Sequence, residues 1–499
     1  MQRLSNQFTR RRRALLSGVT AVAALAATPS PGWAQAAETQ AAPNGLTFAP
    51  AAASDSPEPE TSPPWSTVWR RATLLGDIGG LRPFLGRYGV TLSLQETSEI
   101  LGNVTGGSHT GADYDGLTTA TLQMDTQKAF GLVGGLFNVS GLQIHGRSLS
   151  ADNLNNLQTA SGIEADRATR LWELWYQQAL WDGQVDVKIG QQSIDQEFMG
   201  SQYASLFINT MFGWPMLPSA DLLAGGPAYP LSSPGVRVRA KPTNSLTVLA
   251  GVFDDNPPGS GSGDSQQLDG SGTNFRVNDN PLVIAELQFS TPATGEMDTG
   301  SSSTGLPGVY KLGAWYDFGE FADQRYGTDG LSLSDPSSNG IARQHRGNYS
   351  VYAVMDQMVW RPDPEASQSL GFFARVMGAP QQDRNLIDFS LNTGLVLKAP
   401  LPGRDNDSFG VGGGFTTVSD RTRGLDKDTL FFSDSAMPVR SSETYVEVTY
   451  QAQINPWWQL QPDFQYTFNP GAGVSNPSST NGQRIENEAV IGVRTNITF

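Results

Sequence analysis

The sequence predicts an all-β chain: a single transmembrane antiparallel β-barrel of about sixteen strands, with short periplasmic turns and long extracellular loops. Three observations predict it. The first is the C-terminal stretch 489–499, where Ala489, Ile491, Val493, Thr495, Ile497 and Phe499 alternate with Val490, Gly492, Arg494, Asn496 and Thr498. Successive side chains of a strand point to opposite faces, so one face is oily and the other is not. The second is repetition of that pattern over about ten residues, the length of tilted strand that crosses a bilayer. At 445–454, Val446, Val448, Tyr450, Ala452 and Ile454 oppose Glu447, Thr449, Gln451 and Gln453. At 458–468, Trp458, Leu460, Phe464, Tyr466 and Phe468 oppose Gln459, Gln461, Asp463, Gln465 and Thr467. A soluble sandwich would have to leave that charged and amide-rich face in solvent on every strand, whereas a polar lumen houses it. The third is the alternation of connections. Segments 455–457, 181–183 and 361–365 are short, while 193–233, 255–280 and 319–347 are long and rich in Gly, Ser, Pro and Asp.

Composition narrows the alternatives. The 499 residues carry a net charge of −15, no cysteine, 55 Gly and 31 Pro. Beyond the N-terminus no apolar run approaches the ~20 residues a membrane helix needs. The turn-forming residues favour β-structure. Lack of cysteine excludes a disulfide scaffold and a thiolate metal site, and suits passage through an oxidising periplasm. The acidic balance argues against nucleic acid as a partner.

Taken in order, residues 1–34 read as a secretory signal peptide. The cluster Arg10, Arg11, Arg12 and Arg13 precedes the apolar run 14–27, and small-residue cleavage sites follow at Ala34 and Ala36. Removing 1–34, with its five arginines and no acid, takes the net charge from −15 to −20. Residues 35–73 form an Ala/Pro-rich spacer that cannot bury enough apolar area to fold. Residues 74–89 suit a short helix with Leu81, Phe84 and Leu85 on one face and Pro83 in its first turn. From 90 to 499 the period is two. Strands are expected at 183–192, 235–241, 308–318, 348–360 and 386–398, with weaker ones near 90, 117, 135, 170, 245, 282, 369 and 408. The aromatics Trp457, Trp458, Tyr466 and Phe468 sit near strand ends, where an interfacial girdle lies. Pro462 lacks an N–H for the ladder, so a bulge is expected there.

Several long blocks resemble a known family. LLGDIGGLRPFLGRYGVTLSLQETSEILGNVTGG (74–107), SGLQIHGRSLSADNLNNLQTASGIEADRATRLWELWYQQ (140–178) and VDVKIGQQSIDQEFM (185–199) are similar to the carbohydrate-selective porins of the OprB type. FINTMFGWPMLPSADL (207–222), PAYPLSSPGVRVRAKP (227–242), INPWWQLQPDFQYTFNPG (454–471) and the terminal strand continue the match. The resemblance implies a sixteen-stranded barrel in the Gram-negative outer membrane that lets sugars diffuse inward without energy coupling. Its partners would be a carbohydrate substrate, outer-membrane lipid and the barrel assembly machinery, with a homo-oligomer left open. Monosaccharides or small polyols are the expected cargo; a non-selective porin and an outer-membrane hydrolase are the alternatives.

Candidate pore-lining residues follow from what a neutral sugar requires. The lining must replace hydration hydrogen bonds, which Arg donors and carboxylate acceptors do well, and an aromatic wall packs on the apolar sugar face. The densest mixture is Glu164, Asp166, Arg167, Arg170 and Trp172, expected at the narrowest region, although alternation could turn Trp172 to lipid. A salt-bridged loop cap is the competing account. Asp195 and Glu197, with Gln191, Gln192 and Trp214, are candidates on a folded-in loop, and Arg237 and Arg239 on a lumen wall. No catalytic residue is expected. His145-Gly146-Arg147-Ser148 and Gly263-Asp264-Ser265 have no base at a recognisable spacing. No metal-ligand pattern and no cofactor motif stand out, Asp254 and Asp255 lacking the spacing of a calcium loop.

Overall fold

The computed structural model describes residues 68–292, 305–433, 437–479 and 482–499. The signal peptide expected at 1–34 and the spacer up to residue 67 lie outside the described residues. Among the described residues sixteen antiparallel strands pair in chain order, and the first pairs with the last to close the barrel. They are β1 (Val90–Gly107), β2 (Gly111–Asp125), β3 (Gly135–Gly146) and β4 (Ala168–Leu180). Next come β5 (Val185–Gln192), β6 (Ser233–Ala240), β7 (Leu246–Asp254) and β8 (Pro281–Thr291). Then β9 (Gly308–Gly327), β10 (Ala342–Trp360), β11 (Ser369–Gly378) and β12 (Ile387–Lys398). The last four are β13 (Ser408–Val418), β14 (Ser442–Asn455), β15 (Trp458–Phe468) and β16 (Glu486–Thr498). No helix among the described residues is long and apolar enough to cross a membrane.

Alternation sets the two faces. On β16, Ile491 is exposed while Val490, Arg494 and Asn496 are buried. The same holds on β6, where Val236 and Val238 face outward and Arg237 is buried. At the closing seam Thr97 and Asn496 side chains bond at 2.7 Å, and Glu99 pairs with Arg494. The short-turn rim gathers residues 68–82 and the last residue, Phe499. Leu74 N donates to Thr498 O at 2.8 Å, Trp457 Nε1 to Val68 O at 2.8 Å, and Arg82 to the Phe499 carbonyl.

The structure departs from the sequence reading in three places. The segment 319–347 is largely strand: β9 runs on to Gly327 and β10 begins at Ala342, leaving only 328–341 as loop. Pro462 makes no bulge. Thr449 pairs Asp463 and Ala452 pairs Leu460 in one continuous register, and the ladder merely lapses between them, so the missing N–H is tolerated without an inserted residue. The lumen is also not polar all round. Inward side chains of β7 to β14 include Leu249, Phe253, Ile284, Trp315, Val354, Phe373 and Tyr445, all buried.

Those apolar residues are covered by the connection 193–232, which folds into the barrel. Phe198, Met199, Phe207, Met211, Phe212, Trp214 and Leu217 from the loop form one core with them. Phe212 packs edge-on against Phe373 at 5.7 Å and Tyr445 at 5.4 Å, and stacks on Phe207 at 4.3 Å. Gly412 on β13 makes this approach possible, since a Cβ there would stand 2.9 Å from both Phe207 and Phe212.

Candidate functional site

The folded-in loop is irregular, so its backbone groups need partners inside the barrel. The wall supplies them as charges. Arg375 on β11, 1% exposed, donates to the carbonyls of Met199 (3.0 Å), Gly213 (3.0 Å), Phe212 (3.1 Å) and Met211. Glu447 on β14 accepts the N–H groups of Ile208 (2.6 Å) and Asn209 (3.0 Å). Asp356 on β10 accepts from Ser201 Oγ (2.5 Å), Gln202 N (3.1 Å) and Tyr203 N (3.3 Å), and Glu286 on β8 from Met199 N (2.8 Å). Glu443 takes Leu157 N (2.8 Å) and Gln158 N (2.7 Å) from the preceding loop, and Gly471 N (2.6 Å). None of these anchors was singled out from sequence. The available signal was a lone charge between inward apolar neighbours, as with Arg375 between Phe373 and Met377.

Beside the anchored loop lies an ionic cluster on β5 and β6. Glu197 pairs with Lys188, and Arg237 lies with Nε 2.5 Å from Glu197 Oε2 while also pairing with Asp186. Arg239 Nε reaches Asp186 at 2.7 Å, Arg237 donates to Gln177 at 2.9 Å, and Lys188 Nζ stands 4.4 Å from the Trp175 ring centre. Burial pushes the Glu197 carboxyl up, but Lys188 and Arg237 outweigh it and hold the group at about 2. Glu197, Arg237 and Arg239 are thus brought together, joined by Lys188 and Asp186 from the strand expected at 183–192.

The other expected site residues separate. Asp195, fully buried, serves the loop itself by accepting from Ser193 Oγ (2.6 Å), Gln196 (3.2 Å) and Tyr229 N (3.3 Å). Arg170 is buried, donating to Pro230 O (3.3 Å) and Gln266 O (2.9 Å). Gln266 also accepts Asp166 N (2.7 Å), so Arg170 and Asp166 tie the loops after β3, β5 and β7 together. Arg167 sits apart: it is exposed just before β4 and makes no side-chain hydrogen bond or ion pair with a described residue. Glu164 accepts from Ser148 Oγ (3.0 Å) and Ser150 N (3.2 Å). Burial raises its carboxyl to about 7, with those hydrogen bonds pulling the other way. Trp172 is 1% exposed and faces inward, edge-on to Tyr229 at 6.3 Å. A register shift against Ser140 and Gly141 makes Trp172 an extra residue, so Trp172 and Glu173 both stay inside.

Away from the main apolar core, the inward faces of β1 to β4 and of β15 and β16 carry many polar side chains, interspersed with Leu101, Leu117, Leu142 and Ile144. Gln95, Thr97, Glu99, Asp115, Asn138 and Ser140 are buried there, with Gln465 and Arg494 across the seam. The hydroxyls of Thr119, Thr121 and Ser140 and the Trp172 indole N–H lack partners among the described residues. The lumen therefore has an apolar side filled by loop and a side that carries most of the buried polar side chains.

A closed sixteen-stranded barrel, apolar outside and polar along one inner wall, with a loop folded in beside that wall, is a membrane channel of the porin class. The chain belongs to the family described as carbohydrate-selective porin, OprB family, whose model matches residues 109–499. It is an outer-membrane protein, and its family function is carbohydrate passage across that membrane. It is 25% identical over 451 residues to Porin B of Pseudomonas aeruginosa, covering 85% of this chain and 91% of the relative. It is 24% identical over 427 residues to the putative porin QuiX of Acinetobacter baylyi, covering 81% of this chain and 90% of that one. A high-pH structure of OprB from Pseudomonas putida superposes with a TM-score of 0.72 at 23% identity, over 87% of this chain and all of the other.

Proposed function

We propose that small neutral sugars, monosaccharides or polyols of that size, diffuse passively along the polar wall between the folded-in loop and β1 to β6. Glu197, Arg237, Arg239, Lys188 and Trp172 form one flank of the narrowest part. What supports this is the cluster of charge-assisted donors and acceptors on β5 and β6, with an aromatic ring beside Lys188, together with hydroxyls on β2 and β3 that lack partners among the described residues. A sugar shedding water meets both hydrogen-bond types and a flat apolar surface at once. The cluster is close to neutral, with Lys188, Arg237 and Arg239 against Asp186 and Glu197, which suits an uncharged solute. Arg167 belongs to the mouth in this reading, and Arg170, Asp166 and Asp195 hold the loops that shape it. Glu164 lies with the mouth as well. A channel role with no catalytic step needs nothing further from the site.

Liposome swelling compares glucose, a disaccharide and an amino acid of similar mass. Glucose should enter fastest, and Glu197→Gln with Arg237→Met should cut the glucose advantage several-fold while the channel stays open. Equal rates for glucose and the amino acid would favour a non-selective porin. Absence of swelling with every solute would remove the channel reading.

A further inference from the structure

The chain is acidic, with a net charge of −15, yet the segment leading into the barrel is basic. Residues 68–89 hold Arg70, Arg71, Arg82 and Arg87 against one acid, Asp77, a net charge of +3. The same segment exposes apolar surface. Trp69, Leu75, Leu81, Phe84 and Tyr88 all stand in the open, and the helix Leu81–Arg87 buries none of its residues. Helical spacing of three and four puts Leu81, Phe84 and Tyr88 on one face, with Phe84 edge-on to Tyr88 at 5.4 Å. Arg82, on another side of the helix, donates to Thr73 Oγ1 at 2.7 Å, to Gly76 O and to the Phe499 carbonyl. The helix is thus tied to the end of the closing strand by its polar side, and the described residues leave its apolar face bare. The turn after β2 lies alongside, since Asp125 N donates to Gly89 O at 2.9 Å, and it exposes Phe130, Leu132 and Val133.

Two observations identify what covers this surface. The first is position. Trp458 lies on the outward face of β15 with the exposed Phe464 and Phe468. Trp457 stacks on Trp458 at 6.2 Å, and Trp69 stacks on Trp457 at 5.9 Å. The row of rings runs from the lipid-facing wall onto the segment, at the rim of short turns, which in this class of barrel faces the periplasm. Aromatic rings at that level mark the boundary between headgroups and hydrocarbon. The second is charge. Arg70, Arg87 and Lys128 are exposed, and their side chains make no hydrogen bond or ion pair with a described residue. The nearby carboxylate of Asp125 is engaged in accepting Gln127 N at 2.9 Å and Lys128 N at 3.2 Å. Cations without acids, set around exposed Leu, Phe, Tyr and Trp, are the composition of a segment that lies in the plane of an anionic bilayer surface.

We propose that residues 68–89 and the turn 126–134 form a docking surface for anionic phospholipid headgroups of the periplasmic leaflet. Leu81, Phe84, Tyr88 and Phe130 enter the boundary between headgroups and acyl chains. Arg70, Arg87 and Lys128 donate to phosphate oxygens, the two guanidinium forks in bidentate fashion and the ammonium as a point charge. A zwitterionic headgroup brings its own ammonium against the same cations, so an anionic one such as phosphatidylglycerol is preferred. Because Arg82 bonds the Phe499 carbonyl, lipid held by this segment also braces the seam where β16 meets β1.

The test uses the full protein in bilayers of equal parts phosphatidylethanolamine and phosphatidylglycerol. The chain has no cysteine, so Phe84→Cys takes a single nitroxide label. That label should relax faster with oxygen, which concentrates in lipid, than with a water-soluble nickel chelate, and a label on Ser262→Cys should show the reverse. Each cation near an anionic surface favours it roughly fivefold, at about 1 kcal/mol apiece. Native mass spectrometry of the gently extracted protein should therefore show phosphatidylglycerol retained about tenfold or more over phosphatidylethanolamine. Arg70→Gln, Arg87→Gln and Lys128→Gln together should bring that ratio close to one in a barrel that stays heat-modifiable. A label at position 84 reached mainly by the nickel chelate overturns the proposal. So does one shielded from both reagents, which means cover by protein, the acidic stretch 35–67 included. Equal retention of the two lipids by the unaltered chain, or a ratio unchanged in the triple variant, also overturns it.

Discussion

Replacing Arg375 with methionine keeps a long side chain in the core but removes every donor that holds the loop from β11. Four loop carbonyls, those of Met199, Met211, Phe212 and Gly213, lose their partner at once. An orphaned buried acceptor costs about 1–3 kcal/mol, so the low end alone gives roughly 4 kcal/mol. That agrees with the roughly 3–5 kcal/mol lost when a buried charge network is broken from one side. The charge acts between loop and wall, and the barrel ladder does not pass through it. The loss should therefore appear as local undocking. At about 1.4 kcal/mol per factor of ten, the undocked population rises by roughly a thousandfold. Hydrogen exchange read by mass spectrometry should show amides at 199–214 losing protection by two to three orders of magnitude, with β12 and β13 unchanged. Single-channel records should become noisier as the loop leaves the wall. Loop amides that stay as protected as before, or protection lost equally across β12 and β13, would refute the reasoning.

Three further outcomes are expected. Cysteines at Ser262 and Ser334 should react with an impermeant thiol reagent on whole cells while one at Asn455 does not; the opposite labelling would invert the barrel. Deleting Phe499 removes its N–H bond to Leu94 O (2.9 Å) and the carbonyl taken by Arg82. Heat-modifiable protein in the outer membrane should fall and unassembled chain should collect in the periplasm; an unchanged folded yield counts against the terminus as an assembly signal. Glu164 has a folded value of about 7 against 4.5 unfolded. An acid raised on folding favours the protonated state, so its contribution to stability is full below about pH 4.5 and declines until about pH 7. The decline should not exceed about 3 kcal/mol at 1.36 kcal/mol per pH unit. Glu164→Gln should flatten the fall in unfolding temperature across that window, and the same slope in both proteins would contradict it.

The strands most legible in the sequence are those with different solvents on their two faces. β14, β15 and β16 face lipid outside and polar groups inside, and their period of two is plain. β7, β8, β11 and β13 gave weaker patterns because lipid lies on one side and the apolar loop on the other. Leu249, Leu282 and Phe373 therefore break the alternation from within. The upper parts of β9 and β10 were read as loop for the opposite reason. Beyond the bilayer an outward position such as Glu320 is polar and exposed, and nothing oily marks that face of the strand. The site was legible where charges recur at spacing two, as with Arg237 and Arg239. It was obscure where the partner is backbone. The donors and acceptors that Arg375, Glu447 and Asp356 meet belong to loop carbonyls and amides, which no residue type announces. Arg167 and Arg170, adjacent in composition, part company because Ala168 begins β4 and only Arg170 points inward.

If solute follows the arc that the loop's apolar core leaves, as proposed above, tolerance to substitution should differ around the circumference. Positions on β7 to β13 are constrained by jigsaw packing against Phe207, Phe212 and their neighbours. Thr119, Thr121 and Ser140 make no side-chain hydrogen bond among the described residues and lie outside that apolar core, so substitution there should leave the loop in place. A lineage meeting a new solute could thus redraw the open arc by single substitutions while the packed arc stays fixed.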